Sequence, residues 1–182
     1  MHALPELLDP EELLRIPDGD WYELLDGRPV EKVKGAYSCL ICGHLAARLV
    51  EIVYRDRLGH VFPGRTGYQC FPGRPRHLRR PDISFVACGR FPDEVVPNFD
   101  ILLPPDLCVE VVSPNETYEQ IEERVVDFLA AGVRLFWIVS PEVRTILVRR
   151  PNKTSNALDV TDTLTGEDVL PGFTCPVAEL FV

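Results

Sequence analysis

The sequence predicts an α/β fold, with one central mixed β-sheet flanked by helices and preceded by an N-terminal β-hairpin. Three observations predict it. An apolar run at Leu107–Val112, an amphipathic stretch at Tyr118–Ala131 and a second apolar run at Arg134–Val139 follow one another. A strand–helix–strand passage of that kind needs a crossover, so part of the sheet is expected to be parallel. WYELLDGRPVEKVK holds two alternating runs around Asp26-Gly27, a strong hairpin signal. Between Ser38 and Leu58, apolar residues recur at helical spacing.

In chain order, DPEELLRI (9–16) reads as a short helix, with Asp9 as N-cap, Pro10 at the first helical position and early glutamates. The hairpin follows. Ser38 is expected to cap a long helix that ends at Gly59. Ile41, Leu45, Leu49, Ile52 and Val53 form its apolar face, while His44, Arg48, Glu51 and Arg55 make a polar stripe toward solvent or a cleft. GHVFPG and TGYQCFPG are short β-prone runs. A basic loop, GRPRHLRRPD, leads into a strand at Ile83–Val86, and residues 89–106 read as a proline-rich surface loop. Ser113-Pro114 stops the strand at Leu107–Val112. In the helix at Tyr118–Ala131, Tyr118, Ile121, Val125, Phe128 and Leu129 share one face, Arg124 lies at its margin and Gly132 ends it. Strands at Arg134–Val139, Thr145–Arg149 and Ala157–Val160 complete the sheet. With no repeat, low-complexity tract or linker in view, residues 1–182 are read as one domain.

Composition narrows the functional classes. At 182 residues and 46% hydrophobic, the chain can bury a core without staples. No apolar run is expected to reach the roughly 20 residues of a membrane span. The acidic, proline-interrupted N-terminus does not resemble a signal peptide, so a cytoplasmic protein away from membranes is expected. A formal charge of −9 argues against coating nucleic acid through net charge. Arg74, Arg76, Arg79 and Arg80 nevertheless form a local basic loop, suited to phosphate or to guarding a strand edge. Cys39 and Cys42 form a C-x-x-C, but no second pair completes a zinc site, and reduced thiols are the simpler reading.

The chemistry concentrates on Asp82 and Glu110. Each lies in or beside an apolar strand, and a glutamate among Val109, Val111 and Val112 is costly to bury unless paired or ligating. Mg²⁺ prefers carboxylate oxygen and often takes only one or two protein carboxylates plus substrate phosphate. A salt bridge to a nearby arginine satisfies the same pattern.

The ordered set YELLDGRPVE, His44, RRPDISFV, PDLCVEVVSP, GVRLFWIVSP and LPGF, from about Tyr22 to Phe181, resembles the Uma-two-type restriction endonucleases of the PD-(D/E)XK superfamily. The resemblance implies a restriction-endonuclease-like core and Mg²⁺-dependent cleavage of DNA phosphodiesters, with Mn²⁺ as an alternative ion. It assigns Asp82 and Glu110 as metal ligands, Glu23 as a third ligand or an ordinary hairpin residue, and His44 as the family's helix histidine, a structural residue, a phosphate contact or a base. Glu51 is a weaker candidate. The lysine of an E-x-K motif is absent, Val112 standing in its place. The family's helix lysine corresponds to Arg124, which can stabilise transition-state charge or bridge helix to sheet but cannot act as a base near neutral pH. Ser140 and Phe136 also depart from the family's Asp and Tyr. Two functions follow as expectations: an endonuclease using Asp82, Glu110, Glu23, Arg124 and His44, with Arg74–Arg80 on the DNA backbone, or a catalytically impaired nucleic-acid-binding or protein-interaction module. Cutting both strands needs two sites, so a homodimer is a further expectation.

Overall fold

The computed structural model describes residues 6–181, so the first five residues of the acidic N-terminal stretch lie outside it. The first helix, α1, spans Pro10–Leu13, with Glu12 accepting a hydrogen bond from the Asp9 N–H at 2.8 Å. It is shorter than expected. Leu14–Ile16 continue as turns before Pro17, which disfavours helix in the residue ahead of it. The hairpin β1 (Tyr22–Leu25) and β2 (Arg28–Glu31) is antiparallel, with Leu25 opposite Arg28. Asp26 and Gly27 both take positive φ, as a two-residue turn matching strand twist requires. Reciprocal backbone hydrogen bonds between Leu24 and Leu78 fasten this hairpin to the basic loop.

The main sheet has six strands in the order β3 (Gly59–Pro63), β4 (Ile83–Ala87), β5 (Leu107–Val111), β6 (Leu135–Ser140), β7 (Thr145–Arg149) and β8 (Ser155–Leu158). Only β5 and β6 run parallel, and α3 (Tyr118–Ala131) makes the crossover between them. The mixed α/β sheet with an N-terminal hairpin is thus the expected fold. A side pair, β9 (Thr163–Thr165) and β10 (Thr174–Pro176), closes the C-terminal region.

Two apolar layers follow from strand alternation. Leu107, Val109 and Val111 of β5 join Ile83, Phe85, Trp137 and the apolar face of α2 (Ala36–Asp56) in one layer. Cys108, Phe136 and Ile138 meet Ile121, Val125 and Phe128 of α3 in the other. Each fully buried side chain of this size contributes about 1.5–3 kcal/mol. Since β5 is covered on both faces, it reads as a continuous apolar run rather than an alternating one.

The bounds of α2 correct two expectations. Gly35, not Ser38, is the N-cap, because Ser38 is buried one turn into the helix and its hydroxyl donates to the Val112 carbonyl at 2.9 Å. Arg57, at φ 53°, ends the helix, and Gly59 instead opens β3. By length and composition α2 is apolar enough to cross a membrane, contrary to the expectation that no segment approaches a span. In this fold Ile41, Leu45, Leu49, Ile52 and Val53 lie on the sheet, which explains its apolar character.

Candidate functional site

Asp82 immediately precedes β4, where Ile83 faces Val109 of the antiparallel β5. The Asp82 N–H donates to the Val109 carbonyl at 3.1 Å, and its Oδ2 accepts from the Val111 N–H at 2.7 Å. Glu110 lies beside it on β5. Alternation sends both carboxylates to the sheet face covered by α3, opposite the α2 layer. Both are buried. Register therefore brings together the two residues that the sequence separates by 28 positions.

The groups between them come from the chain leaving β2. Lys32 Nζ lies 3.0 Å from Asp82 Oδ1 and 2.9 and 3.0 Å from the two Glu110 oxygens, and it also donates to the Arg80 carbonyl. Lys34 Nζ lies 2.9 Å from Asp82 Oδ2, 2.9 Å from Glu116 Oε2 and 2.7 Å from the Val111 carbonyl. Burial would lower the Lys32 ammonium, but the Asp82 and Glu110 charges outweigh it and raise its pKa. Lys34 is likewise raised, against its own burial, by Glu110, Asp82 and Glu116. Both stay charged. For Asp82, burial acts upward but the two lysines outweigh it and hold its carboxyl low; burial and the neighbouring Asp82 push Glu110 up.

Around this centre runs a buried ionic network. Glu116 Oε1 accepts from Arg124 Nη1 at 2.8 Å, and Arg124 Nε reaches Glu23 Oε2 at 3.3 Å. Glu23 also accepts from Arg79 Nη1 at 3.1 Å and from the Arg80 N–H at 2.8 Å. Burial would raise its carboxyl, yet Arg124, Lys32 and Arg79 together hold it down at about 2. Arg79 continues outward to Asp127 Oδ2 at 2.6 Å, where His77 Nε2 also lies at 2.9 Å. His77 Nδ1 accepts from the Asp26 N–H, which places the ring proton on Nε2, donated to Asp127. That assignment makes Asp127, not His77, the acceptor for Arg79 Nε.

The expected site residues thus divide into groups. Asp82 and Glu110 come together. Glu23 lies in the adjoining ionic network, its oxygens bound by Arg79, Arg124 and the Arg80 backbone; among the described residues no group of three or more His, Cys, Asp or Glu is arranged for a metal. Arg124 is buried and bridges Glu23 to Glu116, its salt-bridge alternative, rather than touching the Asp82–Glu110 pair. His44 is half-buried on α2, among residues whose other polar members, Arg48 and Arg55, pair with Glu179 and Asp56 at the surface. Glu51 is exposed.

The basic loop is not a uniform exposed patch. Arg79 and Arg80 are buried, the latter donating to the Tyr22 and Arg65 carbonyls. Arg74 is partly exposed, forked on Asp26 and reaching Asp127, and Arg76 pairs with Asp9 at the surface. Arginine outside a strand edge looked like a solvated charge, but the hairpin folds over this loop and turns half of it inward.

Lys32 and Lys34 are not among the site residues expected from the sequence. Their signal was available: in EKVK they occupy alternate positions of an extended segment and so share one face. What they meet lies some 50 or 78 positions away, a contact only the tertiary fold supplies.

The residues fit a divalent cation in one respect. The Lys32 ammonium touches both carboxylates at once, so Asp82 and Glu110 converge on a single cation position. Two carboxylates suit Mg²⁺, which keeps water and phosphate for its remaining ligands. Nearby, the buried Ser113 hydroxyl has no hydrogen-bond partner among the described residues.

The fold is nuclease-like. The model of the Uma2 family, described as "Putative restriction endonuclease", matches residues 10–178. The chain belongs to that family. Among solved structures, a crystal structure of "a putative nuclease belonging to DUF820" from Anabaena variabilis ATCC 29413 is similar, with a TM-score of 0.81 at 19% identity over 96% of this chain and 97% of that one. At that identity the likeness speaks for the fold. No curated protein matches the chain.

Proposed function

We propose that this protein is a metal-dependent endonuclease that hydrolyses DNA phosphodiester bonds at the Asp82–Glu110 pair. The observation that carries the reading is the convergence of those two carboxylates on one cation position in a chain of a nuclease family. Asp82 and Glu110 would hold Mg²⁺ or Mn²⁺, and a divalent ion there supplies Lewis acidity toward a phosphodiester. Asp82 is kept ionised for that role by Lys34 and Lys32. Lys34, anchored on Glu116, adds fixed positive charge against the negative charge that builds on the phosphoryl oxygens. Arg124 acts behind them as a positioning residue, holding Glu116 and Glu23. Arg74 and Arg76 are the members of the basic loop with surface exposure, available to the DNA backbone.

A second reading, a catalytically impaired binding module, is favoured by one observation: lysine ammonium groups already neutralise the pair. Nicking of supercoiled plasmid separates the two. The endonuclease reading requires cleavage that depends on Mg²⁺ or Mn²⁺ and falls about 100-fold or more in Asp82→Asn and Glu110→Gln. Cleavage unchanged in both variants, or absent under every divalent ion, would sink it.

A further inference from the structure

We propose that Lys32 is an exchangeable internal counter-ion, a positioning residue that holds the carboxylate pair assembled and gives up its place to the divalent cation. The inference rests on the reading of Asp82 and Glu110 as a cation site.

The Lys32 ammonium donates to the Arg80 carbonyl and the Glu110 carboxylate and lies 3.0 Å from Asp82 Oδ1. Its side chain is 9% exposed, so the contacts form out of water, where an unpaired carboxylate is costly. Without this charge, Asp82 and Glu110 would face each other across a buried space and repel. Lys34 does not occupy the same point. It sits on the other oxygen of Asp82, 3.6 Å from Glu110, and is shared with Glu116. The two lysines therefore divide their work. Lys34 is a lasting partner of Asp82 and Glu116, whereas Lys32 stands between the two ligands, where a metal must come.

Lys32 also has a route out of that position. It follows the last residue of β2, Glu31, and its backbone N–H still donates to the Trp21 carbonyl at 2.8 Å, so the exchange is a swing of its flexible side chain about a fixed backbone. Metal binding is thus an exchange of one cation for another. It converts a monovalent neutralising group into a divalent one without dismantling the pair. Preorganised carboxylates are the benefit, and competition with the metal is the cost.

Calorimetric titration of Mn²⁺ into the wild-type protein and Lys32→Met tests this. The expected result is binding in Lys32→Met at least about 10-fold tighter than in wild type, with a larger Mn²⁺-induced rise in Tm. A merely structural Lys32 would lower Tm and leave metal affinity unchanged or weaker. Equal or weaker binding in Lys32→Met overturns the exchange while leaving the metal site intact; no binding to either protein overturns the site reading as well. Should Lys32→Met fail to fold, reductive methylation of wild-type protein, read by mass spectrometry of the Lys32 peptide, gives an independent measure. Saturating Mg²⁺ should speed labelling of Lys32 several-fold, and labelling unmoved by Mg²⁺ overturns the inference.

Discussion

Replacing Glu23 by glutamine probes the buried network most sharply. The change keeps the shape but removes the charge between Arg79 and Arg124 and turns one of two accepting oxygens into a donor. Glu23 is buried, and its pKa is lowered from 4.5 to about 2, burial opposing and Arg124, Lys32 and Arg79 prevailing. Because the folded-state pKa is depressed, the ionised form stabilises the fold above the ordinary carboxylate range, and that stabilisation disappears as pH falls toward 2. A depression of this size corresponds to about 3 kcal/mol at neutral pH. For a domain of this length, that is a fall in Tm of roughly 6–12 °C. Urea denaturation of wild type and Glu23→Gln should show the gap at pH 7. Below pH 4.5 the gap should narrow by up to about 1.4 kcal/mol per pH unit, because Glu23 of the unfolded chain takes up a proton while the folded one stays ionised. A gap under about 1 kcal/mol at pH 7, or one independent of pH down to 3, would refute the network's electrostatic role.

Three further outcomes are expected. Gly59→Ala should destabilise by at least about 2 kcal/mol, because Gly59 has a φ of 148° and a Cβ there would lie 2.1 Å from the Val86 carbonyl oxygen; an unchanged urea midpoint would contradict the β3–β4 register. In native protein a thiol reagent should label the exposed Cys39 and Cys88 quickly and leave Cys42 and Cys70 slow, since burial raises both of those thiols; fast loss of all six would mean the α2 packing is wrong. If the loop arginines carry DNA contact, only Arg74 and Arg76 contribute, and log affinity should fall against log salt with a slope of about −2. A slope steeper than about −4 would bring other cations onto the backbone.

Much of this fold could be read from local pattern. The turn at Asp26-Gly27, the bounds of α3 with Gly132 after it, and the crossover between β5 and β6 each follow from short-range chemistry. The start of α2 departs from the expected one because Ser38 has the chemistry of a cap, yet its hydroxyl serves a tertiary contact with Val112. At the site, an acid on a buried strand identified Asp82 and Glu110, because isolated charge in an apolar run demands a partner. The partner itself could not be read locally. Arginines adjacent in sequence drew attention, whereas lysines from the hairpin exit reach the pair. Arg124 likewise gave a helical angle but not its neighbours, and Glu23 and Glu116 are what its guanidinium meets.

The most direct measurement is the anomalous scattering of Mn²⁺ in crystals of the wild-type protein. The proposed site requires one peak within ligand distance, about 2.0–2.6 Å, of both Asp82 and Glu110, with Lys32 Nζ moved away from the point it holds between them. Crystals in millimolar Mn²⁺ that show no peak there, with Lys32 still bridging the two carboxylates, would contradict the assignment.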